Sequence, residues 1–470
     1  MMQKILTKYW LTLHVAALLL VSWVSVFHAT AEWRAILLWV SFFAVQAFLL
    51  LPSVSKGETM REARERTWGN AILDPFVYAG VALICFACIQ WLNSGCALAY
   101  ATDTETWRYG APPVDWLPFS VDPFPALTTV SFLVAGVVGG GILRNGVGKA
   151  SRRLFLDSAS LLSGCIALFM VIMSAAEVAP FTTWGASPRA CNWGTCFGFW
   201  MLVALGGHLN FLDGRFAKTL VWSFFSLLGN LLGMLRFETA PCIALFILAA
   251  LLVLVYWIFF LVRQPTGAVV RIKLGLCLVI AVSVVVLASP YVFRGHPFRE
   301  KIAVLSEASF FGTLSHNRQL PSSLAWKIWQ DHPWRGVGAG GFAHYSQTLV
   351  EEKDWGLLKA CDGLLSNDGL QFLTEYGVIG AGLLSVLIVI LLVSLFSRLP
   401  FMSRRLQGGS QEGEGSLTET SPYVMSGALA VVLVLVIGFL FSPFQSGAML
   451  VSVIYVLAVI PGFLPVGAKA

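Results

Sequence analysis

The chain has 470 residues, of which 57% are hydrophobic and only 12% charged, about half the charged share of a soluble domain. So few polar groups cannot cover the water-exposed surface of a protein this size, which excludes an ordinary soluble fold and makes lipid part of the solvent. The net charge of +6 does not signal nucleic acid, because the basic residues fall in short segments between apolar runs, where they set topology.

In chain order, those runs read as about twelve membrane-spanning helices, at roughly 9–27, 33–52, 73–93, 124–143, 154–176, 194–213, 219–236, 239–262, 274–291, 370–397, 422–441 and 447–464. Their length crosses a bilayer as a helix, and a long apolar helix satisfies its own backbone groups in lipid. The fold class is therefore an all-α polytopic membrane protein, without the alternating pattern of an outer-membrane barrel. Lys4, Lys8, the first apolar stretch and Ala29-Thr30-Ala31 have the outline of a signal peptide, but the stretch is long and a second span follows at once. With the N-terminus inside, the inner loops hold 19 of the 31 Lys and Arg, and the short outer loops and outer span ends hold four, Arg34, Arg108, Arg189 and Arg236. The other eight lie in one long loop, 292–369, where the positive-inside rule counts little. This asymmetry places both termini in the cytoplasm and the long loop outside.

The chain then divides into spans one to nine (1–291), a large outer loop (292–369) and spans ten to twelve (370–470), with a flexible inner linker at 406–421 rich in Gly, Ser and Glu. Residues 94–123, rich in Pro, Trp, Tyr and Asp, should form an ordered outer cap. No internal repeat is visible, so nothing hints at an inverted-repeat transporter. None of the nine cysteines has zinc-site spacing. Cys85 and Cys88 form a CxxC inside an apolar span and read as core thiols. Cys96, Cys191, Cys196 and Cys361 fall in outer loops, where a disulfide is compatible with the compartment.

Polar chemistry concentrates in and around the long loop. Ser322 to His332 has helical apolar spacing, with Ser322 or Ser323 placed to cap a helix that stops at Pro333. Gly336-Val337-Gly338-Ala339-Gly340-Gly341 follows. Its glycines allow a tight turn and close backbone approach to a ligand, but no Gly-Lys-Ser/Thr makes it a phosphate loop. Asn367, Asp368, Gln371 and Glu375 then stand at the entrance of span ten. Asp368, Gln371 and Glu375 share one helix face, and a polar stripe there should face protein or a wet cavity rather than lipid. Arg236, alone between two apolar spans, reads either as a snorkelling partner of Glu238 or as an anion ligand.

In this order, these elements resemble the superfamily of O-antigen ligases and O-antigen polymerases, bacterial membrane glycosyltransferases. The resemblance is strongest over 316–382. It rests on Arg318, Trp326 and the run Asp331-His332-Pro333-Trp334-Arg335-Gly336-Val337-Gly338-Ala339-Gly340-Gly341-Phe342. It continues with Ser366-Asn367, nine residues, then Gly377-Val378-Ile379-Gly380, together with Gln371 and Glu375. The family's histidine position is Ser366 here, and a serine is not an effective base near neutral pH. The resemblance implies a glycan donor on a polyprenyl diphosphate, a glycan or glycolipid acceptor, contact with membrane lipid, and residence in the bacterial inner membrane with the loop periplasmic. It implies Arg236 and Arg318, then Arg335, as diphosphate ligands, since a guanidinium fork suits phosphate oxygens. Ser366 and Asn367 would line the acceptor site, with Asp362, Asp368 and Glu375 as acceptor-side carboxylates. Gln371, Gly338 and Gly340 would complete the substrate contacts. No acidic metal cluster is evident, so neither a divalent metal nor another cofactor is expected. Ligases, polymerases and protein-glycosylating members share these motifs. Outside the enzyme class, a polysaccharide transporter would not need this loop, whereas an inactive scaffold would account for Ser366.

Overall fold

The computed structural model describes residues 2–27, 30–52, 58–102, 106–176, 178, 188–212, 217–238, 240–262, 310–360, 365, 367–396, 421–440 and 443–463. Span nine at 274–291, the linker at 406–420, and Asp362 and Ser366 lie outside these residues. Helices dominate: α1 (Met2–Phe27), α2 (Ala31–Leu50), α3 (Met60–Leu73), α4 (Pro75–Leu92), α5 (Pro123–Asn145), α6 (Lys149–Ala175), α7 (Pro188–Leu212), α8 (Ala217–Phe237) and α9 (Ala240–Val262). After them come α10 (Phe310–Asp331), α11 (Gly341–Leu349), α12 (Trp355–Ala360), α13 (Asp368–Phe396), α14 (Ser421–Leu440) and α15 (Ala448–Val459). Among the described residues, six helical segments are long and apolar enough to cross a membrane, in α2, α4, α5, α6, α13 and α14. Shorter apolar helices cover Trp10–Ser25, Val221–Phe237, Cys242–Trp257 and Ala448–Phe463. Trp39, Phe42 and Phe43 on α2 and Val386, Val389 and Val393 on α13 are exposed, a surface suited to lipid.

The chain forms two compact units, each assembled from separated segments: 1–148, 311–393 and 438–458, and then 149–310, 394–437 and 459–470. These units cut across the linear division read from the sequence. In the first, α5 is the centre: the window that defines its span is 67% buried, against 22% for α13. Local chemistry starts both α4 and α5. Asp74 precedes Pro75 and accepts from the Phe76 amide, and Asp122 precedes Pro123 and accepts from the Phe124 amide, each a side-chain cap followed by a proline that needs no donor. Gly136, Gly139 and Gly140 bring α5 against Ile454, Tyr455 and Phe76, the small-residue packing of membrane helices. At the other end of α5, Arg144 binds Asp74 bidentately at 2.8 and 3.0 Å.

The stretch at 94–123 includes strands and turns among its described residues. Its centre is a hairpin, β1 (Leu98–Ala101) and β2 (Thr106–Tyr109), which pairs Tyr100 with Trp107. Asn93 anchors the following loop, donating to Val114 O at 2.9 Å and accepting from Val114 N at 2.9 Å. One local expectation is corrected. Helix α10 spans Phe310–Asp331 and runs through Pro321, so neither serine caps it. Ser323 instead donates back to Leu320 O at 2.9 Å.

In the second unit, α6, α7 and α8 pack closely. Gly164 and Gly229 meet at a backbone crossing, and Asn230 joins Ser163 Oγ to the Ser160 carbonyl. Trp200, Phe197 and Phe199 fill the interior. Cys96, one of the cysteines open to a disulfide, is a free thiol, as are Cys85 and Cys88.

Candidate functional site

A cavity of about 220 Å³ lies in the first unit between α5, α13, the 339–340 turn and the start of α15. Asp368, Gln371 and Glu375, the stripe read from the sequence, all line it. The opposite wall holds Thr128, Thr129 and Phe132 of α5, with Phe444 and Leu450 beyond.

The glycines explain how the site is built. Gly336 (φ 67°), Gly338 (φ 83°) and Gly340 (φ 71°) are left-handed, and so is Gly377 (φ 62°), where α13 is kinked. The turn and the kink fit into each other. Val337 N donates to Thr374 O at 3.1 Å, Gly338 N to Glu375 O at 2.8 Å, and Val378 N to Pro333 O at 2.9 Å. A Cβ on Gly336 would strike the Glu375 carbonyl, one on Gly377 the Trp334 carbonyl, and one on Gly338 the backbone at Phe119–Ser120. The close approach that Gly336 and Gly338 permit is thus to the chain's own backbone, while Gly340 lines the cavity. Gly377→Ala is therefore expected to destabilise the fold by several kcal/mol, because left-handed strain of about 1–2 kcal/mol adds to the collision. Loss of the monodisperse peak in detergent size-exclusion chromatography, against an unchanged Gly382→Ala control with open space at its Cβ position, would check this.

The two carboxylates have different surroundings. Glu375 accepts from Gln371 Nε2 at 3.0 Å, and the backbone amides of Gly340 and Phe342 face it. It therefore caps the N-terminus of α11, where negative charge is favoured. Asp368 is 3% exposed. Its Oδ2 accepts from the Phe444 amide at 2.9 Å, but its Oδ1 is buried with no partner. A buried carboxylate oxygen without a donor is costly and calls for an explanation.

The other sequence candidates separate. Asn367 Oδ1 accepts from Leu370 N at 2.9 Å and caps α13. Arg335 donates to the Asp115 and Leu117 carbonyls and lines a second cavity. Arg318 lies on α10. Arg236 belongs to the second unit; its Nε and Nη2 donate to Ser174 Oγ at 3.1 and 2.8 Å, and its Nη1 is buried without a partner. Glu238 accepts from Thr195 Oγ1 at 2.5 Å.

Sequence reading counted Arg34 only as a topology marker. It is 4% exposed, donates to Ser25 O at 2.9 Å and Thr128 Oγ1 at 3.2 Å, and lies 5.0 Å from the Phe132 ring centroid. Thr128 and Phe132 are cavity walls, and among the described residues no carboxylate pairs with Arg34. Its signal in the sequence was a charge inside an apolar span. No protein-family model and no curated protein matches the chain.

Proposed function

We propose that the chain transfers a glycan from a polyprenyl diphosphate to an acceptor sugar hydroxyl, at the outer face of a bacterial inner membrane, as an O-antigen ligase-like enzyme. One observation carries this reading: a cavity at the head of a membrane helix, with Asp368, whose buried Oδ1 has no partner, on one wall and the Arg34 guanidinium behind the other. The reaction needs a proton acceptor and a cation in this arrangement. The acceptor oxygen forms a bond to the anomeric carbon as the bond from that carbon to the diphosphate oxygen breaks. The electron pair leaves with the diphosphate, and the hydroxyl proton passes to Asp368 and on to water. Asp368 replaces the family's missing imidazole. Arginines meet the growing charge of the diphosphate, which a low-dielectric site makes worth several kcal/mol. Arg34 is added to Arg236 and Arg318, the two arginines to which the sequence resemblance assigns this role. The twelve-span topology, the cytoplasmic termini and the periplasmic loop belong to the same proposal.

Purified full-length protein, given a polyprenyl diphosphate-linked oligosaccharide and an envelope glycolipid, should yield the joined product, and equally so with excess EDTA. If neither a glycolipid nor a second carrier-linked glycan accepts, the reading fails. Activity lost to chelation and restored by magnesium would remove its metal-free form.

A further inference from the structure

A second cavity, of about 660 Å³, lies in the same unit between β2, the loop at 110–119, the end of α10 and α11. Four rings form its floor in sequence: Tyr109 to Tyr345 at 5.0 Å, Tyr345 to His332 at 5.7 Å, and His332 to Phe119 at 5.6 Å between centroids. Burial lowers the His332 pKa by more than neighbouring Asp331 raises it, so this floor is uncharged at neutral pH. Trp107 is 55% exposed beside it. The rim carries Arg108, Asp115 and Asp331, and Arg335, which donates to the Asp115 and Leu117 carbonyls. Among the described residues, neither the two carboxylates nor the Arg108 guanidinium makes a hydrogen bond or ion pair.

We infer that this cavity is a pyranose-binding subsite that holds a non-reacting sugar of a glycan. The volume is that of a small-molecule site. Aromatic faces cover the apolar C–H face of a sugar ring, and unpartnered carboxylates and a guanidinium are hydrogen-bonding partners for its hydroxyls. Two carboxylates on the rim, with the Arg335 guanidinium already bonded to backbone carbonyls, disfavour a phosphate, and the polar rim disfavours a lipid chain. The position also fits. Phe119 and Tyr345 line this cavity, whereas Pro125, Ala339 and Gly340 of the same two segments line the first. Ser120 Oγ joins those segments by donating to Ala339 O at 3.3 Å. That the bound sugar belongs to a reacting glycan rests on the proposed transfer; pyranose binding itself does not.

Two probes separate the sources of the sugar: the oligosaccharide freed by mild acid from the carrier lipid, and the oligosaccharide freed of lipid from the envelope glycolipid. Equilibrium dialysis of each, radiolabelled, against the full chain in detergent should show binding of at least one. Binding of the first makes this a donor subsite and of the second an acceptor subsite. Trp107→Ala and Asp331→Asn should each weaken binding about tenfold or more, equivalent to about 1.4 kcal/mol. Trp116→Ala, at an exposed tryptophan outside the cavity, should not. Asp331→Asn preserves the shape of the rim, so its effect stands even where Trp107→Ala folds poorly. Failure of both probes to bind, or wild-type binding by both variants, overturns the subsite. Trp107-dependent binding by a protein with no transfer activity would overturn the proposed function and leave the subsite standing.

Discussion

Asp368→Asn should lower glycan transfer by about 10²- to 10⁴-fold, the usual contribution of a positioned general base. The substitution is conservative in shape. Its amide oxygen can still accept from the Phe444 amide, as Oδ2 does now at 2.9 Å, so the start of α15 keeps its anchor. What disappears is the basic Oδ1, the one oxygen of the polar stripe that is buried without a partner. Glu375→Gln offers the contrast, because that carboxylate faces the amides of Gly340 and Phe342. Its loss should first appear as weaker packing of α11 and a lower melting temperature in detergent. Ser366→Ala should cost about tenfold or less, one neutral hydrogen bond of about 1 kcal/mol. Transfer measured at matched membrane levels decides the ranking. A dead Ser366→Ala beside a healthy Asp368→Asn would reverse the roles.

Much of this arrangement was written in local sequence signals. Apolar length marked the helices, because a span's length and composition answer to the bilayer. Asp368, Gln371 and Glu375 could be placed on one wall because helix geometry relates residues three and four apart. The purpose of the glycines was not legible in that way. A tight turn and close approach to a ligand were expected of the 336–341 glycines, but the partner that needed the close approach was the kink at Gly377, some forty residues on. Only tertiary contact reveals that the two glycine clusters are halves of one joint. Arg34 was missed for the same reason. Its role depends on Thr128 and Phe132, far along the chain, which no periodicity connects to it. The division into two units was also hidden, since each gathers segments from both ends of the chain.

Arg236→Ala is expected to reduce transfer about 30- to 1,000-fold, the loss of roughly 2–4 kcal/mol of transition-state stabilisation from one charge-assisted phosphate contact. Its environment favours an absent anion over a purely structural role. Two of its donors converge on a single Ser174 hydroxyl, and Nη1 is buried with nothing to donate to. Among the described residues no carboxylate pairs with it. A cation in the last turn of α8 does favour that helix end, but by only about 0.3–1 kcal/mol. A structural role and an anion-binding role predict different pairs of measurements. If the guanidinium only supports the fold, alanine lowers the melting temperature in detergent and activity falls with it. If it waits for a diphosphate, alanine removes an uncompensated buried charge, which is neutral or stabilising, while transfer collapses. Arg236→Lys separates the cases further, because an ammonium restores the charge without the bidentate fork and should rescue transfer poorly. An Arg236→Ala protein that melts as wild type and still transfers glycan within a few-fold would exclude this arginine from the reaction, leaving Arg34 and Arg318 to meet the charge of the leaving diphosphate.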